Sequence, residues 1–265
     1  MKNILLLVHD DAGQEARVQV ALDLTRALDG HLTCIDVSVP VAAVGEYNAA
    51  VAEVMLIEVE HKREADNRAR LEGRLAGEGI AWTWRDTTDT LADGVVDAAA
   101  LADLIVLNRR LDSASHPDMR DVTSRVLMQA RKPVLAVPDS QRGLKLDRVL
   151  VAWDGQGAVA ETLRAAVPLL KLAREVAILT VDDGSVRTPP TEAAEYLSRH
   201  GIHPEIRIVE DRKTQPDAVI AAEAERFAAD YVVMGAYSHG RLVEVLGGVT
   251  KRLLGASKLP LLLGR

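Results

Sequence analysis

Residues 231–251 read YVVMGAYSHGRLVEVLGGVTK, and their reading decides the fold. The run Val232, Val233, Met234 ends at Gly235 and has the unbroken apolar character of a parallel strand covered on both faces. A loop of small and polar residues follows. The pair Gly247-Gly248 then opens a helix-like segment through Val249, Thr250, Leu253 and Leu254. A strand that ends in glycine, and a helix that begins with it, leave backbone N–H groups free to face a ligand. Helix N-termini bind phosphate in this way, through orphan donors and the positive end of the dipole. The first expectation is a nucleotide phosphate cradle.

The same pattern occurs earlier in the chain. Residues 102–107 (ADLIVL) match residues 229–234 (ADYVVM) at an offset of 127, which also carries Val122-Thr123, Arg125 and Pro133 onto Val249-Thr250, Arg252 and Pro260. Residues 5–9 and Asp10 match residues 149–153 and Asp154 at an offset of 144, and so do residues 32–37 and 176–181. The offset shrinks because the first half has a long second helix, residues 49–76, where the second half has only residues 191–200. Duplication explains these matches. The expected architecture is α/β: two tandem doubly wound domains, each a five-stranded parallel sheet with helices on both faces. The domains are assigned to residues 1–138 and 146–265, joined by the polar linker 139–145 (DSQRGLK).

Composition narrows the function. A length of 265 residues suits two domains, and a 48% hydrophobic share with mixed charge marks a globular chain. Net charge of -7, the lack of a basic block and only 3% aromatic residues argue against nucleic-acid binding. No apolar run reaches the ~20 residues of a membrane span. The start, MKNILLLVHDD, reads as a strand, not a signal peptide. One cysteine, Cys34, permits no internal disulfide and suits a reducing cytosol, so a cytoplasmic location is expected. Between Thr33 and Ile35 that thiol reads as core. Opposite charges four apart in residues 49–76 (Lys62/Asp66, Glu64/Arg68, Asp66/Arg70) read as a solvated helix face. Pro168 should kink a helix expected over residues 159–174.

Ligands of open parallel sheets lie beyond the carboxyl ends of the strands, where the winding direction reverses. In the second half those ends carry Asp154-Gly155, Asp182-Asp183 and Gly235. Asp154 is suited to a ribose or adenine edge or to a metal, and equally to capping the next helix. Gly155-Gln156-Gly157-Ala158-Val159-Ala160 has the form of the dinucleotide fingerprint, with Asp182 as its acidic residue, so an NAD(P)-binding Rossmann-type enzyme is one alternative. Against it, Asp154 would set a carboxylate beside the pyrophosphate. The glycines at 235 and 240 are spaced as in a P-loop, but Arg241-Leu242 stand where Lys-Ser/Thr is required. Ser238 in a nucleophile elbow would need an acid and then a histidine further along, and that order is missing. His200 and His203 show no zinc-site spacing, and Asp182-Asp183 would point to opposite sides if extended.

Two tandem repeats, an aspartate after each first strand, and MGAYSHGR with GGVTKRLL and PLLL after the fourth together resemble the universal stress protein family. The resemblance spans essentially the whole chain and implies a strand order of 3-2-1-4-5. It further implies pairing through fifth strands, hence an internal pseudo-dimer of the two domains, with a homodimer of whole chains as a further level. Members that bind ATP carry Gly-x-x-Gly, a spacer and Gly-Ser/Thr after strand four, holding phosphates on glycine amides and the hydroxyl. The strand-one aspartate and a strand-two residue contact adenosine. The implied cofactor is ATP or AMP, with Mg as a companion of ATP, and the implied site is Asp154, Val181, Gly235, Ser238, Gly247, Gly248, Val249 and Thr250. Ser238 replaces the second glycine, the spacer 239–246 is shortened, and Gly248 stands where Ser or Thr is usual. A missing hydroxyl contact costs about 1 kcal/mol. In the first half Asn108 replaces Gly235, and Arg120-Asp121 replace Gly247-Gly248, so that site should be dead. Since the same scaffold stands there without glycines, those of the second half should answer to a ligand and not to the fold. The implied function is stress response or signalling with at most weak ATP hydrolysis, no catalytic base or arginine clamp being evident. A nucleotide-free dimeric scaffold is the other alternative.

Overall fold

Strands made of unbroken apolar residues need cover on both faces, and the two halves supply it with the same elements in the same order. The computed structural model describes residues 1–39, 49–109, 119–182, 184, 186–210, 214–236 and 246–265, with residues 49–61 described by their backbone. The first half runs β1 (Asn3–Val8), α1 (Gln14–Ala27), β2 (His31–Ser38), α2 (Ala49–Ala76), β3 (Ala81–Thr88), α3 (Leu91–Ala98), β4 (Leu104–Asn108), α4 (Met119–Ala130) and β5 (Val134–Val137). The second runs β6 (Arg148–Ala152), α5 (Gly157–Leu170), β7 (Glu175–Val181), α6 (Pro190–Arg199), β8 (Glu205–Val209), α7 (Pro216–Arg226), β9 (Tyr231–Gly235), α8 (Gly248–Ala256) and β10 (Leu261–Gly264).

Neighbouring strands within each half are parallel, in the orders β3-β2-β1-β4-β5 and β8-β7-β6-β9-β10, which is the expected 3-2-1-4-5 twice over. Strands β5 and β10 then pair antiparallel and join both halves into one ten-stranded sheet. Leu135 lies opposite Leu262 in that pairing, and the two are counterparts in the repeat. Alternation along the strands sends Ile4, Leu6 and Val8 to one face with α1, α2, α5 and α6, and Leu5 and Leu7 to the other with α3, α4, α7 and α8. Each core runs through both halves. Between β5 and β6, Leu144 is buried and its N–H donates to Asp23 Oδ2 of α1 at 2.8 Å.

Two expectations are corrected. Helix α5 ends at Leu170, so Pro168 falls in its last turn, and the Lys171 N–H closes it on the Val167 carbonyl. Among the described residues none of the three anticipated pairs, Lys62/Asp66, Glu64/Arg68 and Asp66/Arg70, forms, although Arg68 does pair four apart with Glu72. Arg68 binds Glu72 and Asp86, Glu64 accepts from Ser38, and Arg63 and Arg70 both reach Asp10 at the end of β1. Lys62, Arg63, Asp66 and Arg70 remain exposed, as expected of a solvated face, while the two arginines reach across to the end of β1.

One carboxylate sits in the core beside that face. Asp36 of β2 is 7% exposed, pairs in register with Asp86 and has Glu64 and Arg68 of α2 around it. Burial first, then the negative charges of Glu64 and Asp86, push its carboxyl up to about 7 against the pull of Arg68. Because this lies above the unfolded value of about 4, the folded state holds the proton longer, and stability falls as pH rises from about 4 to about 7. Asp36→Asn removes that fall: in urea unfolding at pH 5 and pH 8, the variant's midpoint should change less than the wild type's.

Candidate functional site

The site is built where β6, β7 and β9, three adjacent strands, present their carboxyl ends. Strand β9 is buried through Met234 and ends at Gly235 against the first turn of α5. A Cβ at 235 would lie 2.8 Å from the Val159 backbone N and 3.2 Å from Ala158 Cβ. Gly264 of β10 meets the same helix, with a Cβ there 2.5 Å from Thr162 Oγ1. Their counterparts in the first half, Asn108 and Val137, carry side chains at these positions. The close bedding of α5 on the sheet therefore requires Gly235. This corrects the expectation that the second-half glycines answer only to a ligand.

Gly248 is a different case. It is exposed, and a Cβ there would meet only Arg252 Nη1, at 3.3 Å, the far end of a flexible side chain. Gly247 caps α8 without a side-chain hydrogen bond, and no acidic residue stands in the first turn. Among the described residues no side-chain cap covers the amide donors of that turn, which lie at a positive dipole end beside the cations Lys251 and Arg252. The Gly247 N–H donates to the Ala236 carbonyl at 3.1 Å, so the chain leaves and re-enters the site at one point. Ser238 and Gly240, in the loop between, lie outside the described residues, as does Asp183.

The remaining expected residues divide into those at the mouth and those turned inward. Asp154 stands after β6, its Oδ1 accepting from the Gln156 N–H at 3.0 Å in a turn that leads into α5. Val181 ends β7 half-buried and paired with Val209. Thr250 is 3% exposed and its hydroxyl donates to the Gly235 carbonyl at 3.3 Å, so it locks α8 to β9 instead of facing the open helix end. The Val249 side chain packs on the core beneath, which leaves its backbone N–H for the site. Gly155, with φ of +72°, is pressed against the connection before α6: a Cβ there would lie 2.7 Å from the Thr188 carbonyl. The Trp153 indole N–H donates to that same carbonyl at 2.9 Å. Backbone thus fills the space where a dinucleotide's pyrophosphate would approach Gly155, which weighs against the fingerprint reading.

In the first half the corresponding groups serve the fold. Asp10, the counterpart of Asp154, takes Arg63 Nε at 2.9 Å and Arg70 Nη2 at 3.1 Å. The Arg63 hydrogen bond, outweighing burial and joined by Arg70, holds its carboxyl below the usual range. Arg17, fully buried, forks onto Asp11 at 2.9 and 2.7 Å and ties down the carbonyls of Leu7 and His9. Helix α4 carries Asp121 in its first turn, where α8 has Gly248. Cys34 is buried, and burial pushes its thiol up to about 12, so it is core and not a nucleophile.

One residue near the site escaped the sequence reading. Arg252 Nε binds Asp217 Oδ1 at 2.7 Å and so brings its guanidinium beside Gly248. Arg125, its counterpart, binds Asp93 at 2.7 Å in the same way. The pair therefore belongs to the scaffold of both halves, tying α4 to α3 and α8 to α7. The repeat match of Arg125 with Arg252 was the available signal. Among the described residues, no group of three His, Cys, Asp or Glu is placed to hold a metal, and no helix is long and apolar enough to cross a membrane.

Comparison with known proteins agrees with this geometry. Residues 145–265 match the model of the universal stress protein family. A universal stress protein from Archaeoglobus fulgidus DSM 4304 aligns over 99% of this chain and 98% of its own, with a TM-score of 0.73 at 17% identity. A putative universal stress protein from Pseudomonas aeruginosa UCBPP-PA14 aligns over 100% and 93%, with a TM-score of 0.56 at 17% identity. At such identities the likeness shows the fold. No curated protein matches the chain in sequence.

The two glycines give a direct contrast. Gly235→Ala should lower stability by about 1–3 kcal/mol through overpacking against α5, whereas Gly248→Ala should leave it nearly unchanged. Thermal unfolding of both variants beside the wild type measures the difference.

Proposed function

The second half of this chain, residues 145–265, belongs to the universal stress protein family, and the first half repeats its fold; on that premise we propose a stress-response or signalling protein that binds one adenine nucleotide, ATP or AMP, in the second domain. The observation that carries the reading is the start of α8, where Gly247-Gly248 leave an uncapped, acid-free helix end that the fold itself does not require to be glycine at 248. Amides of Gly248, Val249 and Thr250 are suited to phosphate, while Asp154 and Val181 lie at the neighbouring strand ends where adenosine would rest. The phosphate part fits the residues present. The Thr250 hydroxyl is engaged with Gly235, so it supplies no ligand for a Mg ion accompanying ATP. Domains at 1–138 and 146–265 with a linker at 139–145 are supported by the lack of helix or strand over 139–145 and by the family match beginning at 145. The antiparallel β5–β10 contact, with counterpart leucines face to face, is what an internal pseudo-dimer requires. A cytoplasmic location is part of the same reading.

The rival is a nucleotide-free scaffold, favoured by the inward hydroxyl of Thr250. Nucleotide binding predicts that ATP or AMP raises the melting temperature of the purified protein. Gly248→Asp, which sets a carboxylate on the helix end, should abolish the shift while the unliganded melting temperature stays close to wild type. No calorimetric binding of either nucleotide at millimolar concentration would leave the scaffold reading standing.

A further inference from the structure

The first half differs from the second most in the length of its second helix: α2 has 28 residues where α6 has 10. Counted back from the strand that follows, α6 matches α2 only from Asp66 onward, so Lys62 and Arg63 belong to the added length. Between those turns and the end of β1 lies a cavity of about 400 Å³, lined by Asp10, Lys62, Arg63, Asp66, Asn67 and Arg70. We propose that this cavity is a binding site for a small phosphorylated ligand, held by Lys62, Arg63 and Arg70.

Its floor is built and rigid. Asn67 and Gln14 are 5% and 2% exposed and bond each other reciprocally, at 2.7 and 3.0 Å. Asn67 Oδ1 also accepts from Arg70 Nη2 at 2.7 Å, and Asp10 accepts from both Arg70 and Arg63. Each arginine is thus positioned by buried or charged acceptors, so little side-chain entropy remains to be lost when a ligand arrives. Donors remain for that ligand: Arg70 bonds only through Nη2, and the Lys62 ammonium has no partner among the described residues. Among the described residues three cations face two carboxylates, and one of these, Asp10, is already shared by two arginines. Asp66 keeps the excess small. A compact dianion with several acceptor oxygens, which can bridge all three cations at once, is therefore preferred to a lone carboxylate.

The site does not reuse the glycine cradle. It stands at a strand's carboxyl end, but its donors are side chains of α2, distant in sequence from Asp10 by 53 and 60 residues in the case of the two arginines. The second half has no equivalent, because α6 is too short to wall one. The inference does not depend on nucleotide binding at α8.

Inorganic phosphate and a phosphate monoester share the recognising chemistry, so the test uses both. The full-length Gly248→Asp protein, whose helix-end site is blocked, is titrated calorimetrically with inorganic phosphate and with ribose 5-phosphate. Binding of at least one is expected, and Lys62→Ala and Arg70→Lys should each weaken it about tenfold, as loss of a charge-assisted bond does. Lys62 is exposed and makes no hydrogen bond or ion pair among the described residues, so its variant remains interpretable if Arg70→Lys is unstable. Tighter binding of the ester identifies a metabolite as the ligand, and equal binding identifies phosphate itself. No heat with either probe up to millimolar concentration, or binding that Lys62→Ala leaves unaltered, overturns the proposal.

Discussion

Strands β5 and β10 are the point on which the molecule depends. Each would otherwise close a five-stranded sheet with a short edge, VLAV or LLLG, that carries no charge, no proline and no bulge. Such an edge invites pairing with any other chain. Antiparallel pairing of the two removes both edges at once and makes each core continuous from one half to the other. The join is reinforced at its margins. Arg109, just past β4, donates to the Leu253 carbonyl of α8 at 3.1 Å, and Arg265 donates to the Met128 carbonyl of α4 at 3.3 Å. Each half thereby sets a cation near the carboxyl-terminal part of the other's last helix, where the dipole favours it.

Given that frame, the two halves were free to diverge at their strand ends. The second half brings α5 close to the sheet over Gly235 and Gly264, and leaves the start of α8 without a cap. The first half fills the corresponding region with charge: Arg17 locked on Asp11, Asp10 shared between two arginines, and Asp121 at the head of α4. These are alternative solutions to one problem, the unsatisfied backbone groups at the ends of parallel strands. Where side chains satisfy them, these backbone groups serve the fold; at the start of α8 the glycines add no side chain that would satisfy them.

The strands and the order of elements were legible in the sequence, because unbroken apolar runs such as residues 104–107 and 231–234 and helical spacing are local signals. So was the contrast between Gly248 and Asp121, since helix ends are read from the residues that occupy them. The length of α5 and the partners of the α2 charges were not. Spacing four apart shows which charges can meet along a helix, and says nothing of a competing partner on a strand far away in sequence.

What the sequence by itself determined is a duplicated parallel α/β scaffold with one acid-free helix start. Only the tertiary structure decided what each residue there does. Gly235 proved to be required by the 2.8 Å approach of Val159, the Thr250 hydroxyl turned to the Gly235 carbonyl, and Arg63 and Arg70 converged on Asp10. The reason is physical: periodicity and capping are set within a few residues. The distance between a strand end and a helix elsewhere in the chain is set by how the whole core packs.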